Sequence, residues 1–131
     1  MPLPTDAKLR KAVPVCTGVL DYFPDAIAAV AELSRIGNEQ HNPGQPLHWA
    51  REKSTDHADC IVRHLMQRGT LDTDGVRHAV KVAWRALALA QTEIEKAQDD
   101  EVLGRFPGDV PPSLDDPLRR VPGRTPQGGN Y

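Results

Sequence analysis

At 131 residues and 14.4 kDa the chain has the size of one domain, and its 39% hydrophobic and 26% charged residues give it an ordinary globular composition that argues against global disorder. A net charge of -2 with scattered Lys and Arg excludes a broad basic surface, so no nucleic-acid partner is expected. No apolar run approaches the roughly 18 residues of a membrane span, and the opening MPLPTDAKLRKAVP lacks a signal-peptide stretch, so a cytoplasmic protein with no membrane partner is expected. Cys16 and Cys60 have no metal-type spacing and are expected to be free thiols.

Residues 1–23 hold three prolines and read as an extended arm, with Thr17-Gly18 as a turn and Val19, Leu20, Tyr22 and Phe23 packing onto the helices. Asp21 is placed to cap a first helix over about 24–40, with Pro24 early in it and Ile27, Val30, Ala31 and Leu33 to Ile36 as its buried stripe. The segment from His41 to Pro46 cannot continue that helix, because two prolines remove donors and Gly44 favours a turn. A loop therefore leads to Leu47, His48 and Trp49. Ser54 or Thr55 can cap a second helix over about 55–68, where Ala58, Ile61, Val62 and Leu65 recur at helical spacing until Gly69 ends it.

Asp72 or Thr73 is placed to cap a third helix over about 74–98, with Val76, Val80, Ala83, Leu87, Ala90 and Ile94 as one apolar seam. Val82 and Leu89 lie roughly 120° away from that seam at about 100° per residue. Leaving such side chains in water forfeits about 1.5–3 kcal/mol each, so a homo-oligomer, a dimer or larger, is expected, with sites near its subunit boundaries. After Asp100 come six prolines and five glycines in 31 residues, too few apolar groups to fold alone. The prediction is all-α: an extended arm (1–23), a small three-helix bundle forming a nucleotide-binding domain (24–99), and a Pro/Gly-rich tail (100–131).

All five histidines fall between positions 41 and 78, and the polar residues gather in three places. These are Asn38, Glu39, His41 and Asn42; Asp56, His57, Asp59, Arg63 and His64; and Arg77, His78, Lys81 and Arg85. Asp56 and Asp59, three apart on one helical ridge and joined by Glu39, form an oxygen set suited to Mg²⁺, with Mn²⁺ as a substitute; the competing reading is that the two aspartates complement a helix dipole. His57 and His64 are seven apart and no zinc motif such as H-E-x-x-H is present, which disfavours a transition metal there. His64 and His78 are either hydrogen-bonded structural residues or agents of substrate contact and proton transfer. Trp49 and Trp84 fit a core or interface role, with base stacking as the alternative, and Cys60 has no oriented base that would make it a nucleophile. No P-loop, G-x-G-x-x-G, G-x-S-x-G or H…HD pair is present.

From about Leu20 to Glu95 the chain resembles the phage and bacterial family named for an N-terminal dATP/dGTP diphosphohydrolase domain. The resemblance is carried by a Pro-led helix ending in Gly37-Asn38, a loop reaching Trp49, Arg63-His64-Leu65, His78-Ala79, Ala83-Trp84 and Ala86-Leu87-Ala88-Leu89. It implies a helical domain acting on purine deoxynucleoside triphosphates, distantly similar to the MazG-like pyrophosphohydrolases, which hold Mg²⁺ on helical carboxylates and form oligomers. In place of the MazG pattern of E-x-x-E plus E-x-x-D, this chain has Asp56-x-x-Asp59 and Glu39.

The leading expectation is a Mg²⁺-dependent nucleoside triphosphate pyrophosphohydrolase. Glu39, Asp56 and Asp59 would hold metal, and His64, His78 and Glu39 would act in catalysis. Asn38, His41, Trp49, Lys53, Arg63, Arg77 and Arg85 would bind the nucleotide. The alternative is a non-catalytic protein that sequesters a nucleotide second messenger from host defence, for which Arg, His and Trp suffice without a metal cage.

Overall fold

A computed structural model of the chain describes residues 3–102, and they are all-α. Residues 3 to 96 lie in one compact unit, Met1–Lys96; of the second, Ala97–Tyr131, only 97–102, the end of the last helix, are described. The expected Pro/Gly-rich tail lies, from residue 103 on, outside the described residues.

The arm departs from the extended form expected for it. Asp6 accepts the amide of Leu9 at 2.9 Å and starts a short helix, α1 (Ala7–Lys11), and the chain then makes a π-helical turn at Cys16–Leu20. An aspartate ahead of a run of good helix formers outweighed the prolines on either side of it. Tyr22 and Phe23 are exposed and meet edge to face at 6.0 Å. α2 (Pro24–His41) begins with its proline in the first turn, where no amide is needed, but Phe23 takes the capping position expected for Asp21 and offers no capping bond.

Asn38 fixes the loop after α2: its amide donates to the carbonyl of Gln45 at 2.9 Å and accepts from the amide of His48 at 3.3 Å. A 3-10 turn at Arg51–Lys53 leads to α3 (His57–Met66), and Gly69, with φ +86°, lets the chain leave that helix. α4 (His78–Val102) starts four residues later than the spacing predicts. Residues 70 to 78 are held instead as a closed loop: Leu71 bridges Arg77, the amide of Asp72 reaches the carbonyl of Val76 at 2.8 Å, and Gly75 turns with φ +80°. Asp72 and Asp74 spend their capping capacity inside that loop, on the amides of Thr73 and Val76.

The inward faces of α3 and α4 are partly polar. On α3, His57 and Cys60 are buried and His64 is half-buried, whereas Val62, Leu65 and Met66 are exposed. On α4, His78 and Ala88 are buried and Lys81, Arg85, Thr92 and Glu95 half-buried; the expected seam holds for Val76, Val80 and Ala83 and then runs out into solvent, with Leu87 54% and Ile94 47% exposed. Val82 and Leu89, expected to be left out, are half-buried. α2 and α4 are joined by the Trp84 indole N–H donating to Ser34 at 2.8 Å, and the 3-10 turn is tied to α4 by an Arg51–Glu95 ion pair. Among the described residues no large side chain is fully buried. No single described helix is long and apolar enough to cross a membrane.

Candidate functional site

The polar inward faces meet at the start of α4. The turn Asp72-Thr73-Asp74-Gly75 carries two carboxylates back over the first turns of that helix, where the Lys81 ammonium donates to Asp72 at 2.6 Å and to Asp74 at 2.8 Å. The Lys81 bond, with the Thr73 amide, holds the Asp72 carboxyl down at about 2, and the same ammonium lowers Asp74. Burial works against the charge of Lys81, but the two carboxylates outweigh it and raise its pKa.

One turn before Lys81, His78 points its Nδ1 at Nδ1 of His64, 2.9 Å away on α3. The rings are 5.1 Å apart and tilted by 35°, so one ring supplies the N–H and the other the lone pair. Burial, then the neighbouring His78 and Lys81, lower the pKa of His64 and keep it neutral more readily than a free imidazole. His64, Asp72 and His78 each offer a ligand atom within 4.8 Å of the other two.

A second cluster lies at the start of α3. Arg85 reaches from α4 to the Ser54 hydroxyl and sits 3.3 Å from Nδ1 of His57. Asp56 accepts from Ser54 at 3.2 Å and from the Cys60 thiol at 3.5 Å, and pairs with Arg63 at 3.5 Å; these bonds, Ser54 first, lower its pKa. Arg63 also donates to the Cys60 sulfur at 3.0 Å. Alongside α2, an open groove of about 270 Å³ is walled by Leu33, Ile36, Val76 and Val80, with Glu32 and Arg77 at its polar side.

The structure therefore sorts the residues expected to act. His64 and His78 are brought together. Glu39, Asp56 and Asp59 are not gathered within 4.8 Å of one another: Glu39 is paired with Arg35 at 2.6 Å along α2, while Asp59 is exposed on α3. Asn38 spends both ends of its amide on the loop, and His41, Lys53 and Arg77 are exposed. Trp49 is covered by the Arg51 guanidinium at 4.2 Å and meets Trp84 edge-on at 5.8 Å, which is the packing role. Asp72, Asp74 and Lys81 were missed as a unit. The signal was there in the D-x-D-G turn followed six residues later by a lysine, but turn chemistry alone reads it as a cap.

Residues 6–101 match the dATP/dGTP diphosphohydrolase, N-terminal, family. The chain belongs to that family. The match covers α1 to α4 but for the last residue of α4, and all the clusters above, so this dATP/dGTP diphosphohydrolase-family domain carries its histidine pair and its Asp-Lys-Asp turn within the matched region. No curated protein and no solved structure matches the chain.

Proposed function

We propose that this domain hydrolyses a purine deoxynucleoside triphosphate, dATP or dGTP, to the monophosphate and pyrophosphate in the cytoplasm, with Mg²⁺ carried on the substrate phosphates. Membership of the diphosphohydrolase family over residues 6–101 carries the reading. Asp56 and Asp59, exposed oxygen donors at the start of α3, suit a hard cation that needs only one or two protein carboxylates beside phosphate oxygens. Glu39, held by Arg35, is not needed for such a set. Bound there, Mg²⁺ would neutralise phosphate charge.

The exposed Lys53, Arg63 and Arg77 supply cations for the triphosphate, and Arg85 holds the Ser54 end of α3 in place. His64 or His78, whose Nδ1 atoms are taken by each other, retains Nε2 to orient a water. That water's oxygen bonds to the α-phosphorus, the bond from this phosphorus to the bridging oxygen breaks, pyrophosphate leaves, and the water's proton passes to solvent.

The domain is further proposed to work as a homo-oligomer, a dimer or larger, because Leu87, Ile94, Val62, Leu65 and Met66 leave apolar faces of two helices in water. The deciding experiment incubates the full chain with each deoxynucleoside triphosphate, with Mg²⁺ or with chelator, and resolves the products. Mg²⁺-dependent monophosphate plus pyrophosphate is expected, and Asp59→Ala should lower the rate about 100-fold, the scale for loss of a charge-stabilising group. Nucleotide withdrawn from solution and recovered intact on denaturation would establish sequestration instead, a reading favoured by the pairing of Glu39 with Arg35.

A further inference from the structure

The His64–His78 contact raises a question of chemistry that the nucleotide reading leaves open. Two imidazoles from different helices, fourteen residues apart in sequence, present the same ring atom to each other at 2.9 Å, with an aspartate oxygen beside them. Two nitrogens and one oxygen form a borderline donor set. A hard ion such as Mg²⁺ avoids imidazole, whereas zinc-class ions choose it.

We infer that His64, Asp72 and His78 form a binding site for one divalent transition-metal ion of the zinc class. The three ligands come from α3, the turn after it and the first turn of α4, so the ion would clasp α3 to α4 at the point where the 70–78 loop already closes. A cation bonded at about 2.1 Å to both nitrogens at a tetrahedral angle needs them about 3.4 Å apart, an opening of about 0.5 Å from the hydrogen-bonded contact. The ring that donates its Nδ1–H changes tautomer as the ion enters, its proton passing to Nε2, and both Nδ1 lone pairs then serve the metal. Asp72 is already oriented by Lys81 at Oδ2 and by the amide and hydroxyl of Thr73 at Oδ1, and Oδ2 keeps a further lone pair for a cation. Three protein ligands leave a fourth position for water, the pattern of an open rather than a closed zinc site.

The test titrates Zn²⁺ into the chelator-stripped full chain in competition with a chromogenic chelator. One ion per chain is expected, with affinity falling about 100-fold in His64→Ala and in His78→Ala, at least what loss of a supporting partner costs. His48→Gln should bind as the unaltered chain does. Because His78 is buried and its removal can loosen the helix start, a second measurement uses no variant. Long-range proton–nitrogen spectra of the labelled chain should show Nδ1 of two of the five histidines, His64 and His78, moving on addition of Zn²⁺ and staying in place with Mg²⁺. Zinc that moves no imidazole signal, or moves only those of His41 and His48, would show the pair to be a plain hydrogen bond. Neither readout uses nucleotide, so failure here leaves the hydrolysis reading standing, and the reverse also holds.

Discussion

Lys81 answers two carboxylates that the turn at 72–76 brings round to it, and the effect of this falls on acid stability. The folded pKa of Asp72 is about 2, below its ordinary 3.8. A lowered folded value means that the stabilisation is fully present above about pH 4 and is lost as the pH falls through about 2; Asp74 is shifted the same way. Urea unfolding of the chelator-treated chain at pH 7, 4 and 2.5 should therefore show a decline concentrated below pH 4. Lys81→Met should flatten that decline, and an unchanged decline would show that the ion pairs contribute nothing. At Asn38, two hydrogen bonds hold the loop, so Asn38→Ala is expected to cost about 0.5–1.5 kcal/mol per bond, the net worth of such bonds where water can replace them, read as a lower unfolding midpoint. The i,i+4 pair of Arg35 and Glu39 is legible from spacing alone, yet the carboxylate of Glu39 also suits a metal, and spacing does not choose between the two uses.

Among the elements, the late start of α4 turns on Gly75. Its φ of +80° is one that L side chains adopt at a cost, and a Cβ added there meets nothing within 4 Å, so the penalty of Gly75→Ala is backbone alone, about 1–2 kcal/mol. Chemical denaturation measures it, and the same substitution should loosen the Lys81 pairs by altering the turn that carries them. The spans of α2, α3 and α4 were close to legible, because apolar spacing and breakers such as Pro43 and Gly69 are local signals. The start of α4 was not. Asp72 and Thr73 have the chemistry of helix caps, and the chain used Asp72 to close a loop, as the Leu71–Arg77 bridge requires.

At the scale of the whole molecule, the described chain buries small or polar groups, Cys60, Ala88, His57 and His78, and leaves Leu87, Ile94 and Met66 in water. Exposed side chains of that size gain about 1.5–3 kcal/mol each on burial, which favours association. Replacing Leu87 and Ile94 together by Glu should convert the proposed oligomer to monomer in light scattering while leaving helicity intact, since neither residue contributes to the core of one copy. A native chain that is already monomeric at micromolar concentration would remove the oligomer from the reading.

The sequence by itself determined that the chain is helical, where α2, α3 and α4 roughly lie, and which family it resembles, because all of these rest on local spacing and on motifs that survive in one dimension. Only the tertiary structure decided which way each helix is turned. Periodicity shows that α3 and α4 each have an apolar stripe, but rotation about a helix axis is set by what packs against it. In this chain the polar ridges of His57, Cys60 and His64 and of His78, Lys81 and Arg85 turn inward. The meeting of His64 with His78 follows from that rotation and from a loop closed by its own hydrogen bonds, neither of which residue spacing encodes.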